Sequence, residues 1–73
     1  MSAANEINEI TVRVNGEPQA LRPGTTLADL VPAAWARGVA VARNDEIVPR
    51  ARWAETPVQA GDAIEIVRPV QGG

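Results

Sequence analysis

From Glu9 to Val14 the chain alternates without interruption, with Ile10, Val12 and Val14 apolar against Glu9, Thr11 and Arg13, and Asn15-Gly16 follows at once. Side chains of a strand point to opposite faces with a period of two, so this run demands a half-buried β-strand. Asn-Gly is the strongest short hairpin signal, because both central residues of a type I′ turn need positive φ. A return strand through Gln19, Ala20 and Leu21 is therefore expected, stopped at Pro23-Gly24.

Thr26 then reads as an N-cap, with Asp29 three residues on in a near capping box. Leu27, Leu30, Val31 and Ala34 fall at helical spacing on one face. Pro32 in mid-helix would remove a hydrogen bond and clash with the carbonyl of Ala28. Two forms are compatible with it: a kinked helix through Ala36, or a short first turn followed by a new helix at Pro32. Gly38 ends either form in the position glycine favours. Val39 to Arg43 alternates again, Asn44-Asp45 marks a turn, and Ile47-Val48 makes a short fourth strand ended by Pro49. Arg50 to Pro57 has no clear period, although Trp53 is large enough to plug a core beneath a loop. Gly61-Asp62 turns the chain into a last strand, Ala63 to Arg68, with Ile64 and Ile66 inward. The economical way to bury this pattern is an α+β fold: a mixed four- to five-stranded sheet with one helix across one face.

A chain of 73 residues makes one domain, since at this size only about 60% of the unfolded surface is buried and no second core is possible. Residues 1–8 read as a disordered leader, 9–68 as the folded domain and 69–73 as a flexible tail. The net charge is −2 and the basic residues are scattered arginines, so a nucleic-acid footprint is missing. No run reaches the roughly 18 apolar residues of a membrane span, and MSAANEINE lacks the order of a secretory signal; a cytoplasmic location is expected.

Cys, His, Tyr, Phe and Lys do not occur. Disulfides, zinc sites, thiol nucleophiles, imidazole bases and Schiff-base lysines are excluded together. The nine Asp and Glu residues are dispersed, with Asp45-Glu46 the only adjacent pair, and such charges are usually a solvated surface. A non-enzymatic role is expected, with no bound cofactor and no metal.

After the last strand come Pro69, Val70, Gln71, Gly72 and Gly73. Proline has no N–H to continue a ladder, and glycine has no Cβ to obstruct passage through a narrow channel. Five extended residues reach roughly 17 Å, enough to carry a carboxylate into another protein's active site. A terminal glycine pair arises by chance in roughly one chain in two hundred, so it has weight only beside a matching body.

Such a body is present. Asn44-Asp-Glu-Ile-Val-Pro-Arg50 with Trp53, then Gly61-Asp62 before the last strand, and the closing Gly72-Gly73 together resemble the sulfur carrier family of thiamine biosynthesis, ThiS. The likeness covers Ile10 to Gly73, with Pro32 and Trp35 departing from the leucine-rich helix of the family. The resemblance implies a ubiquitin-like β-grasp fold whose Gly73 carboxylate is adenylated with ATP by an E1-like adenylyltransferase. It further implies that sulfur from a cysteine desulfurase converts the adenylate to a thiocarboxylate, and that thiazole synthase consumes the sulfur. A chain without cysteine can carry sulfur only on a terminus or a bound cofactor, which agrees with that expectation.

The outward face of the sheet is expected to show Thr11, Arg13, Ala40, Ala42, Glu65 and Val67, and Thr11, Arg13 and Val67 are the candidates for contact with the adenylyltransferase. An ordinary solvated face fits these residues equally well. Arg50 and Arg52 beside Trp53 could form a docking or cation–π cluster, but arginines snorkelling over a core tryptophan fit better. Two rival functions exist. Arg68-Pro69-Val70 before the glycines has the flavour of the small subunit of molybdopterin synthase, and a ubiquitin-like modifier or interaction module would use a similar body.

Overall fold

In the computed structural model, which describes residues 8–35 and 37–68, two tight turns set the strand layout. Asn15 and Gly16 adopt φ of 52° and 87°, the pair of left-handed conformations a type I′ turn needs. They join β1 (Ile10–Val14) to β2 (Glu17–Leu21) in antiparallel register, Val14 opposite Glu17. Asn44 and Asp45 repeat the device at 51° and 72° without a glycine, because their short polar side chains tolerate this region. They join β3 (Ala40–Arg43) to β4 (Glu46–Val48). The last strand, β5 (Ala63–Val67), enters between the hairpins, parallel to β1 and antiparallel to β3. The resulting five-stranded order is β2-β1-β5-β3-β4, the mixed sheet of a ubiquitin-like β-grasp domain.

The three central strands supply Val12, Ile64 and Val41 to one face, each 1% exposed. Leu27, Val31, Trp53 and Val58 close over them. Polar Thr11, Arg13 and Glu65 alternate with these and stay in solvent, as period two requires.

The covering layer differs from the expected single helix. The helix α1 spans only Leu27–Leu30, and a separate 3-10 turn follows at Ala33–Trp35. Pro32 is the cause. It cannot donate to Ala28, and it drives the preceding residue out of the helical region; Val31 accordingly sits at φ −102°, ψ 116°. The new turn starts from the Pro32 carbonyl, which accepts the Trp35 N–H at 2.8 Å, so the second of the two forms is the one adopted. Ala34, expected on the buried face, is exposed. Thr26 is the N-cap residue of α1, and the bonds there are made by Asp29, whose carboxylate accepts the Thr26 N–H at 2.9 Å and its hydroxyl at 3.1 Å. Gly38 takes φ 74° ahead of β3.

Within the stretch without period, Arg50 to Pro57, residues Arg50–Glu55 form a second 3-10 turn whose Trp53 is 5% exposed. Its indole N–H, buried with the ring, donates to the Val48 carbonyl at 2.8 Å. The chain then pairs with the N-cap of α1. Leu27 donates to Thr56 at 3.0 Å and Val58 to Thr25 at 2.8 Å, which buries Val58. The expected leader lies outside the described residues except for the exposed Asn8, and the tail from Pro69 lies outside them entirely.

Candidate functional site

A buried carboxylate stands at the entry to β5. Asp62 is 6% exposed, an exception to the reading of the dispersed acids as usually a solvated surface. Its position in the Gly61-Asp62 turn aims it inward, where it accepts from Arg43 Nε at 2.8 Å, Asn44 Nδ2 at 3.1 Å and the Gln59 N–H at 2.8 Å. Burial by itself raises its pKa, but these three donors outweigh burial and hold the carboxyl below its ordinary 3.8. With its donors in place, Asp62 is a structural tie between β5 and the β3–β4 turn.

That tie carries a pH dependence. The folded pKa is depressed, so the folded state holds fewer protons than the unfolded chain at acid pH. The stability it contributes is complete above the unfolded value near 3.8 and is lost as pH falls through that value and then through the lower folded one. We expect Asp62→Asn to cost about 1.5–3 kcal/mol at neutral pH and to flatten the decline between pH 6 and pH 3. Urea midpoints across that range check both, and parallel curves for parent and variant would contradict the assignment.

The open face of the sheet is weakly polar. Ala40 lies opposite Val67 and Ala42 opposite Glu65 across β3–β5, while Ala42 also pairs with Ile47 on β4. Val67 and Ile47 are 57% and 70% exposed, the large exposed apolar residues among those described. The register thus places small alanines between two bulky apolar side chains. Thr11 and Arg13 lie across β5 on the same face, both exposed, and Arg13 reaches the Gly16 carbonyl at 3.3 Å. The sequence reading missed Ile47. The signal was present, because a two-residue turn at Asn44-Asp45 puts Ala42 opposite Ile47 and on the outward side.

The root of the tail adjoins this face. Strand β1 ends at Val14 beside Ile64, but the Asn15 side chain carries the pairing onward: Oδ1 accepts the Ile66 N–H at 2.8 Å and Nδ2 donates to the Ile66 carbonyl at 3.3 Å. Beyond Val67, the Arg68 guanidinium carbon sits 4.3 Å from the ring centroid of Trp35. The cation–π contact is made there and not by Arg50 or Arg52 on Trp53. Gly73 and Pro69, Val70, Gln71 and Gly72 lie outside the described residues, so the proposed carrier group has no geometry in the structure.

On the opposite side of the sheet, Ala28, Val31, Ala33, Arg50, Trp53 and Ala54 line a hollow of about 300 Å³. Arg50 is its only ionisable group, so its lining offers neither a general acid–base pair nor a nucleophile. Among the described residues no group of three or more acidic residues could hold a metal ion, and no helix is long and apolar enough to cross a membrane.

Comparison with known proteins places this geometry. No curated protein matches the chain in sequence. Its fold is similar to the crystal structure of the thiamine biosynthesis protein ThiS from Geobacter metallireducens, with 29% identity and a TM-score of 0.73, over 88% of this chain and 100% of that one. The model of the ThiS family matches residues 12–73, from the core of β1 through the terminal glycine pair, and the chain belongs to that family.

Proposed function

We propose that this protein is a sulfur carrier for thiazole formation in thiamine biosynthesis and that the carboxylate of Gly73 is its working group. The observation that carries the reading is that the family match runs through Gly72-Gly73 on a chain with no thiol of its own.

The chemistry follows from that carboxylate. A carboxylate oxygen attacks the α-phosphorus of ATP in an E1-like adenylyltransferase, pyrophosphate leaves, and the acyl adenylate forms. The terminal sulfur of a cysteine-desulfurase persulfide attacks the acyl carbon, and AMP leaves. A thiol then cleaves the resulting acyl disulfide, releasing the thiocarboxylate and forming a disulfide on the donor side. That thiol belongs to a partner, since the carrier has none. Thiazole synthase accepts the sulfur. ATP is bound by the adenylyltransferase, and the carrier contributes a rigid body, a docking face and a terminus. Intact mass after expression beside the pathway enzymes tests the reading: a gain equal to the exchange of one oxygen for one sulfur supports it, and unchanged mass with active partners overturns it. Rescue of a molybdenum-cofactor mutant in place of a thiazole auxotroph would assign the carrier to molybdopterin synthesis.

The weakly polar face suits the adenylyltransferase, because a surface with few charges loses little on desolvation and lies beside the tail root. Thr11, Arg13 and Val67 are its proposed contacts. We expect Arg13→Ala with Val67→Ser to weaken binding about tenfold, the equivalent of about 1.4 kcal/mol, without altering the fold. Titration calorimetry with the adenylyltransferase measures it, and unchanged affinity would remove the face from the proposal.

A further inference from the structure

The last strand outruns its neighbour. The backbone of β1 pairs with β5 as far as Val14 beside Ile64, where Asn15 donates its N–H to the Ile64 carbonyl at 2.8 Å, and the hairpin then turns away. Ile66 is left with an N–H and a carbonyl on that side and no strand to meet them. Asn15 meets both with one side-chain amide, accepting at 2.8 Å and donating at 3.3 Å. A primary amide presents one acceptor and donors in a plane, so it stands in for the missing peptide group. On the other side β3 holds β5 as far as Ala40 opposite Val67, and Arg68 then lies over Trp35. The strand that leads to the tail is thus held on one side by Asn15 as far as Ile66 and on the other by β3 as far as Val67.

We propose that Asn15 is a positioning residue for acyl transfer at Gly73: its side-chain amide fixes the direction in which β5 delivers the tail. The proposal rests on the carrier reading. Residues 66 to 73, fully extended, would span roughly 23 Å, so the heading of β5 at Ile66 sets the direction from which the tail starts toward a partner's active site. Rates of acyl and phosphoryl chemistry fall on the order of a hundredfold for about 1 Å of misplacement. Asparagine serves two needs at this position. It accepts φ of 52° in the turn, and its side chain offers a donor as well as an acceptor, whereas an aspartate there would set a carboxylate oxygen against the Ile66 carbonyl.

The test separates aim from stability. Asn15→Gly keeps the positive φ, which glycine adopts freely, and deletes the amide. Asn44→Gly is the control. Asn44 makes a similar side-chain bond to β5, accepting the Ala63 N–H at 2.9 Å, but at the end of the strand remote from the tail. With the full-length chain and its adenylyltransferase, the parent is expected to release pyrophosphate from ATP. Asn15→Gly is expected to lower kcat about tenfold or more with KM for the carrier unchanged, and to speed hydrogen exchange at the Ile66 amide. Asn44→Gly is expected to keep the parent's kcat even if its melting temperature falls as far. Equal kcat for Asn15→Gly and parent overturns the positioning role and leaves the carrier reading standing, as does an equal loss in Asn44→Gly. A parent that releases no pyrophosphate overturns the carrier reading and this role with it.

Discussion

Deletion of Gly73 is expected to abolish ATP-dependent pyrophosphate release while leaving the fold intact. The last strand ends at Val67, six residues before Gly73, and the core is built from Val12, Leu27, Val31, Val41, Trp53, Val58 and Ile64. Loss of Gly73 should change stability by no more than about 0.5 kcal/mol, as for most surface changes. The chemistry has no such tolerance. One residue fewer withdraws the terminus by roughly 3.5 Å, and about 1 Å of misplacement costs on the order of a hundredfold in rate. Gly73→Val keeps the length but puts a branched Cβ where a channel for glycine admits none, and it should fail as well. Pyrophosphate release with the adenylyltransferase, measured beside an NMR spectrum of each variant, decides the matter. A shortened protein that is well folded and still adenylated at the parent's rate would falsify the assignment of the terminus as the working group.

The second large effect falls on stability. Trp53→Ala is expected to cost about 3–5 kcal/mol, the range for removing a buried aromatic ring. The ring is 5% exposed and packs against core residues from the sheet and α1, so truncation opens a cavity beneath the second 3-10 turn. It also orphans the Val48 carbonyl, which the indole N–H serves at 2.8 Å. A domain of this size has a total stability of about 5–15 kcal/mol, and each kcal/mol shifts its melting temperature by about 4–8 °C. The variant should therefore melt on the order of 20 °C lower, or fail to fold. Trp53→Phe keeps most of the volume and loses the hydrogen bond, so it should cost much less. A melting curve for Trp53→Ala that overlays the parent's would mean that the ring does not hold the layer together.

The fold was legible wherever a residue acts on its own neighbourhood. Ile10, Val12 and Val14 alternate with polar residues and bury the face they should. Asn15-Gly16 and Asn44-Asp45 announce their turns because few residues accept positive φ. Pro32 announces a break in the helix. The composition left no thiol, imidazole or lysine for catalysis, and the Asn44 to Trp53 segment with the closing glycines pointed to the family to which the chain belongs.

Tertiary structure decided whatever depends on partners far apart in the chain. The parallel pairing of β1 with β5 joins residues fifty positions apart, Arg13 with Ala63 and Val14 with Ile64, and no local pattern encodes such a pairing. Pro32 breaks the covering helix, but the third piece of that layer is placed by Thr56 and Val58, which return to pair with Leu27 and Thr25 and bring Trp53 and Val58 into the core. Asp62 looked like one more surface acid until Arg43, Asn44 and Gln59 closed around it. The same holds for Asn15, whose role in the turn is written in its own φ but whose grip on Ile66 exists only once β5 lies beside β1. A backbone conformation is set by local sterics, which the sequence contains; a hydrogen-bond partner is set by which strands meet, which only the folded sheet decides.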